Sequence, residues 1–395
     1  MSLNHITLTV AIFLPVLLDA HFTTYWNIFS WHCKKELEPI VDNFHIIHNT
    51  GMNYSGDKVA LFYEFTFGRY PYFRDYLITE PINYGTPQNV TSDPDRMQEH
   101  LTIAEYNITT TIRGQNYTTL AVVDFEEWRP LFRQNGGRKK VYQDAAKMLV
   151  EQAHPSYTPQ EVLKAATEEY EESAKEFILE TLKKARDLRP YALWGMYGFP
   201  YCNYDAGEKD DDYECSKTYQ QWNDDMMYIF NESTALFPSI YLGFPATSQQ
   251  RFRYVQAILR EANRIAQKYQ PPLPIYPYTK FEYDPLEENC SFYDDYDLCS
   301  TLKQPAMMGV DGLIFWSSSR NMKYRCPAIM DFVENKLGPI VQNVTAQYYV
   351  PGPFNITEIL NFNDTCSTFN VPVTNIQQYG NLCNVSPSNP SNTNP

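Results

Sequence analysis

Short, unbroken apolar runs recur along this chain, separated by longer helical or looped stretches, and no other feature limits the fold so tightly. Strands are expected at Phe22–Asn27, Phe44–Ile47, Val59–Phe65, Leu120–Glu126, Tyr191–Tyr197, Pro238–Leu242, Leu273–Tyr278 and Gly312–Trp316. A strand that is apolar throughout is covered on both faces, as in parallel sheets flanked by helices. The clearest helix is expected over Pro159–Leu188, where Thr158 can cap, Pro159 suits the first turn and Glu161 completes a capping box. Two more fit Gln249–Tyr269, stopped by Pro271-Pro272, and Cys326–Leu337. Strand–helix alternation of this kind favours a parallel α/β barrel over a sandwich.

The ends differ from the middle. Ile6–Leu18 is an apolar run too short to span a bilayer, and Asp19-Ala20 ends it with a small residue. Residues 1–20 are therefore expected to be a signal peptide, 21–347 the barrel, and 348–395 an irregular tail of Pro, Asn, Ser and Thr with no apolar anchor. Ten Asn-x-Ser/Thr triplets fit export: Asn53, Asn89, Asn107, Asn116, Asn231, Asn289, Asn343, Asn355, Asn363 and Asn384. The expected location is secreted, with the lysosome as the alternative.

Eight cysteines fit an oxidising compartment. Sequence proximity pairs Cys202 with Cys215, Cys290 with Cys299, and Cys366 with Cys383 as local loop closures, leaving Cys33 and Cys326 to join the ends of the main domain. Eight cysteines admit on the order of a hundred connectivities, so the pairing stays an expectation.

Chemistry is expected where Leu120–Glu126 ends. Side chains alternate along a strand, so Asp124 and Glu126 share a face. Two carboxylates that close raise one pKa, giving a protonated acid beside an ionised neighbour, as a glycosidase needs. Rim carboxylates paired with Arg129 or Arg133 would produce the same pattern. Tyr197, Tyr241, Tyr278 and Trp316 also close strands, where barrel active sites lie and where aromatic rings can stack on sugars. No Cys-x-x-Cys, His-Glu-x-x-His, Gly-x-Ser-x-Gly, Walker or dinucleotide motif occurs, so neither a metal nor a cofactor is expected. A net charge of -15 argues against nucleic acid as partner, and it is also unusual for a protein that handles a polyanion.

Asp124-Phe125-Glu126-Glu127-Trp128-Arg129-Pro130 resembles the signature of the hyaluronidase family of glycoside hydrolases. The resemblance runs from Phe22 to about Thr345 and includes Tyr25-Trp26-Asn27, Tyr70-Pro71-Tyr72, Gly85-Thr86-Pro87-Gln88-Asn89, Pro238-Ser239-Ile240-Tyr241 and Leu337-Gly338-Pro339. It implies a distorted TIM-like barrel of about seven or eight strands. It also implies retaining, endo-acting cleavage of β-1,4 N-acetylhexosaminide linkages in hyaluronan or chondroitin, with the substrate's own acetamido oxygen as nucleophile.

In that scheme Glu126 is the acid and base, Asp124 holds the acetamido group, Tyr197 and Tyr241 polarise it, and Trp316 packs on its methyl. Ser239, Tyr278 and Asp284 would line the groove, and Tyr70 or Tyr72 would stack on substrate. The implied core disulfides are Cys33–Cys326 and Cys202–Cys215. Asn135-Gly136 departs from the family's usual Asn-Trp, which puts a wall of the groove in doubt. The alternatives are a secreted carbohydrate-binding or adhesion protein of the same fold without catalysis, or an enzyme acting on a neutral polymer such as chitin.

Overall fold

The computed structural model describes residues 22–286, 291–347 and Cys366. Parallel strands β1 (Thr23–Trp26), β2 (Ile47–His48) and β3 (Val59–Tyr63) open the chain. An antiparallel hairpin follows, β4 (Tyr72–Phe73) with β5 (Pro81–Ile82). The parallel set then resumes with β6 (Leu120–Asp124), β7 (Leu193–Met196), β8 (Tyr278–Thr279) and β9 (Gly312–Phe315). One sheet runs β2-β1-β9-β8 and another β3-β6-β7. Parallel bridges Tyr197–Phe237, Leu236–Ile275 and Ser239–Tyr278 carry the ring from β7 through residues 236–239 to β8.

The expected strands at Pro238–Leu242 and Leu273–Tyr278 are reduced to these bridges and the short β8. Pro238, Pro274 and Pro277 have no N–H to place in a ladder, so pairing survives where their carbonyls accept. Leu236 N–H donates to Pro274 at 2.9 Å and Tyr278 N–H to Pro238 at 2.8 Å. Phe44–Ile47 is also corrected: a helix runs Lys34–Asn43, Phe44 caps it, and the strand begins only at Ile47.

Between β2 and β3 no ladder closes the ring, and side chains take its place. Asn49 follows β2 and is fully buried. Its Nδ2 donates to the Val59 carbonyl at 3.0 Å, and its Oδ1 accepts the N–H groups of Lys58 and Val59, both at 2.8 Å. Two residues along β3, Ser55 Oγ donates to the Leu61 carbonyl and accepts from its N–H. The edge of β3 is thereby satisfied without a neighbouring strand.

Alternation sorts the core into two. Tyr25, Val59, Leu120, Val122, Phe237, Tyr278 and Ile314 fill the ring's interior. Their neighbours Trp26, Ala60, Ala121, Val123, Trp194 and Phe315 face outward into the larger core under the helices. Gly195 is required where staves crowd, since a Cβ there would lie 2.3 Å from the Ala235 carbonyl.

Helix Pro159–Leu188 has the expected bounds, with both halves of the Thr158/Glu161 capping box formed. Helix Ser248–Ala266 starts at the Thr247 cap, and the expected Cys326–Leu337 helix begins earlier, at Met322, and widens over Val333–Leu337.

Cys33–Cys326 and Cys202–Cys215 are bonded. The expected Cys290–Cys299 and Cys366–Cys383 closures are overturned, because Cys299 bonds Cys366 across 67 residues. Cys299 is buried against Phe252 of helix Ser248–Ala266, and Cys366 reaches the same cluster, so folding brings together what sequence distance separates. Cys290 and Cys383 lie outside the described residues, as do residues 1–20 and, Cys366 apart, the tail 348–395. Among the described residues no helix is long and apolar enough to cross a membrane.

Asn49→Ala strips the buried N–H and carbonyl of Val59, and the more exposed Lys58 N–H and Asn53 carbonyl, of their partner. It should lower the unfolding free energy by about 2–4 kcal/mol. Urea titration measures this, and an unchanged midpoint would show that the seam does not depend on Asn49.

Candidate active site

A cavity of about 870 Å³ opens at the C-terminal ends of the strands. The residues that build it continue the inward parity of the interior. Asp124 stands above Leu120 and Val122, Tyr63 above Val59 and Leu61, Tyr197 above Leu193, and Trp316 above Ile314. Glu126 lines the cavity one step past β6.

Outward residues root the signature loop. Phe125 stacks on Tyr70, with ring centroids 4.3 Å apart. Trp128 stacks on the same ring at 5.3 Å and donates Nε1–H to the Pro71 carbonyl at 2.8 Å. Asn135 accepts the Arg129 N–H at 2.8 Å and donates back to its carbonyl at 2.9 Å. Gly136 is exposed, a Cβ there would meet nothing within 4 Å, and the residue does not line the cavity.

The alternative pairing for the two carboxylates does not form among the described residues. Arg133 pairs with Asp225. Arg129 donates to Tyr201 Oη at 2.6 Å and lies 4.4 Å over its ring. Asp124 is buried, with Oδ1 unpartnered among the described residues. Burial, reinforced by the charges of Glu126 and Glu64, holds its carboxyl well above the usual carboxylate range against the pull of Arg129.

Aromatic side chains make up much of the remaining wall, beginning with Tyr197 just past the end of the strand that pairs directly with β6. Tyr197 donates to Ser239 Oγ at 3.2 Å and meets Tyr278 edge-on at 5.1 Å. Tyr241 stacks on Trp316 at 5.8 Å. The Tyr278 hydroxyl donates to Asn27 Oδ1 at 3.1 Å. Burial raises the pKa of Tyr197 and Tyr241 well above the ordinary phenol value, so both remain neutral donors.

Three expected groove residues stand elsewhere. Tyr70 is fully enclosed by Phe125 and Trp128 and offers no face to a sugar. Tyr72, on the hairpin, packs against Phe65 outside the cavity lining. Asp284 is exposed, its carboxylate accepting the Leu286 N–H, and it does not line the cavity. An aromatic ring that does line the cavity is Tyr63, at the end of β3.

Sequence reasoning missed a clamp on the loop. Glu64 is buried beyond β3, and its Oε2 accepts the N–H groups of Glu126 and Glu127 at 2.5 and 3.0 Å. From the other side Lys139 Nζ donates to both carbonyls of the same dipeptide. Burial, opposed by these hydrogen bonds and aided by the neighbouring carboxylates, lifts Glu64 to about 7. Burial lowers Lys139 to about 8. The available signal was positional: Glu64 is an acid one residue past the end of β3, next to the strand that carries Asp124.

A family model described as hyaluronidase matches residues 12–350. The chain belongs to the hyaluronidase family of glycoside hydrolases. It is 37% identical to a chondroitin hydrolase of Caenorhabditis elegans over 80% of this chain and 69% of that protein. It is 33% identical to hyaluronidase-1 of Sus scrofa over 84% of this chain and 76% of that protein. Bee venom hyaluronidase in complex with a hyaluronic acid tetramer superimposes with a TM-score of 0.74 at 29% identity, covering 82% of this chain and 99% of that one. This family likeness establishes the chain as a glycosidase of the hyaluronidase type.

Glu64→Ala frees both amides of the signature dipeptide and should lower kcat by about 10–100-fold, as loss of positioning does. Glu64→Gln keeps an acceptor and should retain most activity. Equal losses in the two variants would show that charge, not the clamp, is what Glu64 supplies.

The upward shifts also set a stability trend. A carboxyl whose folded pKa is raised contributes stability that is present below its unfolded pKa and is lost as pH rises through the folded one. For Glu64 that window runs from 4.5 to about 7. Stability should therefore fall across it, and Asp124→Asn should raise Tm above wild type at about pH 8. A variant less stable than wild type at every pH would contradict this.

Proposed function

We propose that the protein is an endo-acting hydrolase of hyaluronan or chondroitin, cleaving β-1,4 N-acetylhexosaminide linkages with retention and with Glu126 as acid and base. One observation carries the mechanism. Among the described residues, Asp124 and Glu126 are the carboxylates that line the cavity, and both come from the end of one strand. A two-carboxylate glycosidase flanks the sugar from opposite sides. Here no further carboxylate lines the cavity among the described residues, and Tyr241, Tyr278 and Trp316 make up much of the rest of its wall, which leaves the substrate's acetamido oxygen as the nucleophile.

Each residue then has a defined task. Glu126 gives its proton to the glycosidic oxygen as the bond to the anomeric carbon breaks. Asp124 accepts from the acetamido N–H. Tyr197 and Tyr241 donate to the acetamido carbonyl oxygen and turn it toward the anomeric carbon, while Trp316 packs on the methyl. Glu126, now a carboxylate, takes a proton from the water that opens the cyclic intermediate. Ser239 and Tyr278 support the phenols.

Three disulfides among the described residues support export, to the extracellular space or the lysosome. Asn53, Asn116, Asn231 and Asn343 are exposed, as glycan carriers must be. Asn89 and Asn107 are half-buried, and Asn289, Asn355, Asn363 and Asn384 lie outside the described residues.

Glu126→Gln should reduce the appearance of new reducing ends from hyaluronan and unsulfated chondroitin, assayed side by side, by about 10²–10⁴-fold while the circular dichroism spectrum is kept. Full activity in that variant would sink the assignment. Wild-type protein that binds either polymer without cutting it would favour the carbohydrate-binding alternative.

A further inference from the structure

An acidic protein that binds a polyanion needs a local cation. Two basic side chains line the cavity, Arg129 and Lys280. Arg129 is already engaged by Tyr201. Lys280 is the residue after β8, and strand parity puts it on the same inward face as Tyr278. Its Nζ lies 4.4 Å from the centre of the Tyr241 ring and 5.2 Å from that of Trp316.

We propose that Lys280 is a specificity residue that binds the carboxylate of the uronic acid next to the hexosamine held by Tyr241 and Trp316.

Three observations converge on this reading, which rests on the proposed substrate class. Lys280 is half-buried, yet among the described residues no carboxylate comes within ion-pair distance of it. The acids that influence it from farther off have other work: Glu282 is held by Arg325 and Ser317, Asp284 accepts the Leu286 N–H, and Glu126 is the reacting acid. A partly desolvated ammonium whose close partners are ring π-clouds is short of strong acceptors, since a ring face attracts a cation more weakly than a carboxylate does. A carboxylate supplies a charge-assisted hydrogen bond. The rings also fix its place, because Lys280 sits over the two that hold the hexosamine. In a polymer that alternates hexosamine with uronate, the adjoining sugar brings one carboxylate to that position.

The test compares Lys280→Met, which keeps the apolar stem over the rings, with Lys280→Arg, which keeps the charge. Both are made in the Glu126→Gln protein so that affinity is read without turnover. The probes are unsulfated chondroitin and hyaluronan hexasaccharides, whose only anions are uronate carboxylates, and the same hexasaccharides after carboxyl reduction. Lys280→Met should weaken binding of the acidic hexasaccharides by on the order of 10–100-fold and flatten its salt dependence. Lys280→Arg should retain most affinity, and on the reduced hexasaccharides the Met and Lys proteins should bind alike.

An equal loss on acidic and reduced sugars, or no loss on either, would overturn the proposal. Wild-type protein that binds acidic hexasaccharides but releases no reducing ends would overturn the hydrolase reading alone. Absence of any binding would overturn both.

Discussion

Every second side chain on a strand points the same way, and a ring of parallel strands turns that rule into convergence. The inward residues of β3, β6, β7, β8 and β9 first fill the interior with Val59, Leu120, Val122, Tyr278 and Ile314. The same parity, carried one step past the packed plug, delivers Tyr63, Asp124, Tyr197 and Trp316 to one opening. Nothing more than strand register is needed to assemble the constellation. Register is specified by the residues that end the apolar run, since a slip of one residue would put Asp124 under the helices and Phe125 in the cavity.

Convergence has an electrostatic cost. Asp124 and Glu64 are both buried beside other acids, and both are pushed upward. Natural folds tolerate such sites when the surrounding structure over-determines them. Here the over-determination is visible. Phe125 and Trp128 are stacked into the outer core, Asn135 holds Arg129 by its backbone, and Glu64 and Lys139 grip the Glu126–Glu127 dipeptide from its amide and carbonyl sides. Glu126, which lines the cavity, is held by Glu64 and Lys139, which do not line it.

Legibility in the sequence followed the range of the interactions. Helix Pro159–Leu188 could be read to the residue because its capping box, first-turn proline and apolar stripe are all local. Strand ends and their aromatic closers were legible because alternation is local too. Glu64 was not, because its role depends on two amides 62 and 63 residues away. Tyr70, offered with Tyr72 as a stacking ring, turns out enclosed for the matching reason: a tyrosine before a proline gives no sign that Phe125 and Trp128 will cover it. The Cys299–Cys366 bond defeats any rule based on spacing, since burial against helix Ser248–Ala266 selects the partners. Lys280 is a single charge with no motif around it in the sequence, and the rings beside it in the fold give it meaning.

The Cys33–Cys326 bond joins a residue just past the first stave to a helix just past the last, across 293 positions. All of the intervening barrel is thereby one covalent circle. A protease that cuts any single peptide bond within the circle opens it into a line without releasing a fragment, and the staves stay tethered while they re-pair. That makes one scission a repairable event rather than a lost molecule.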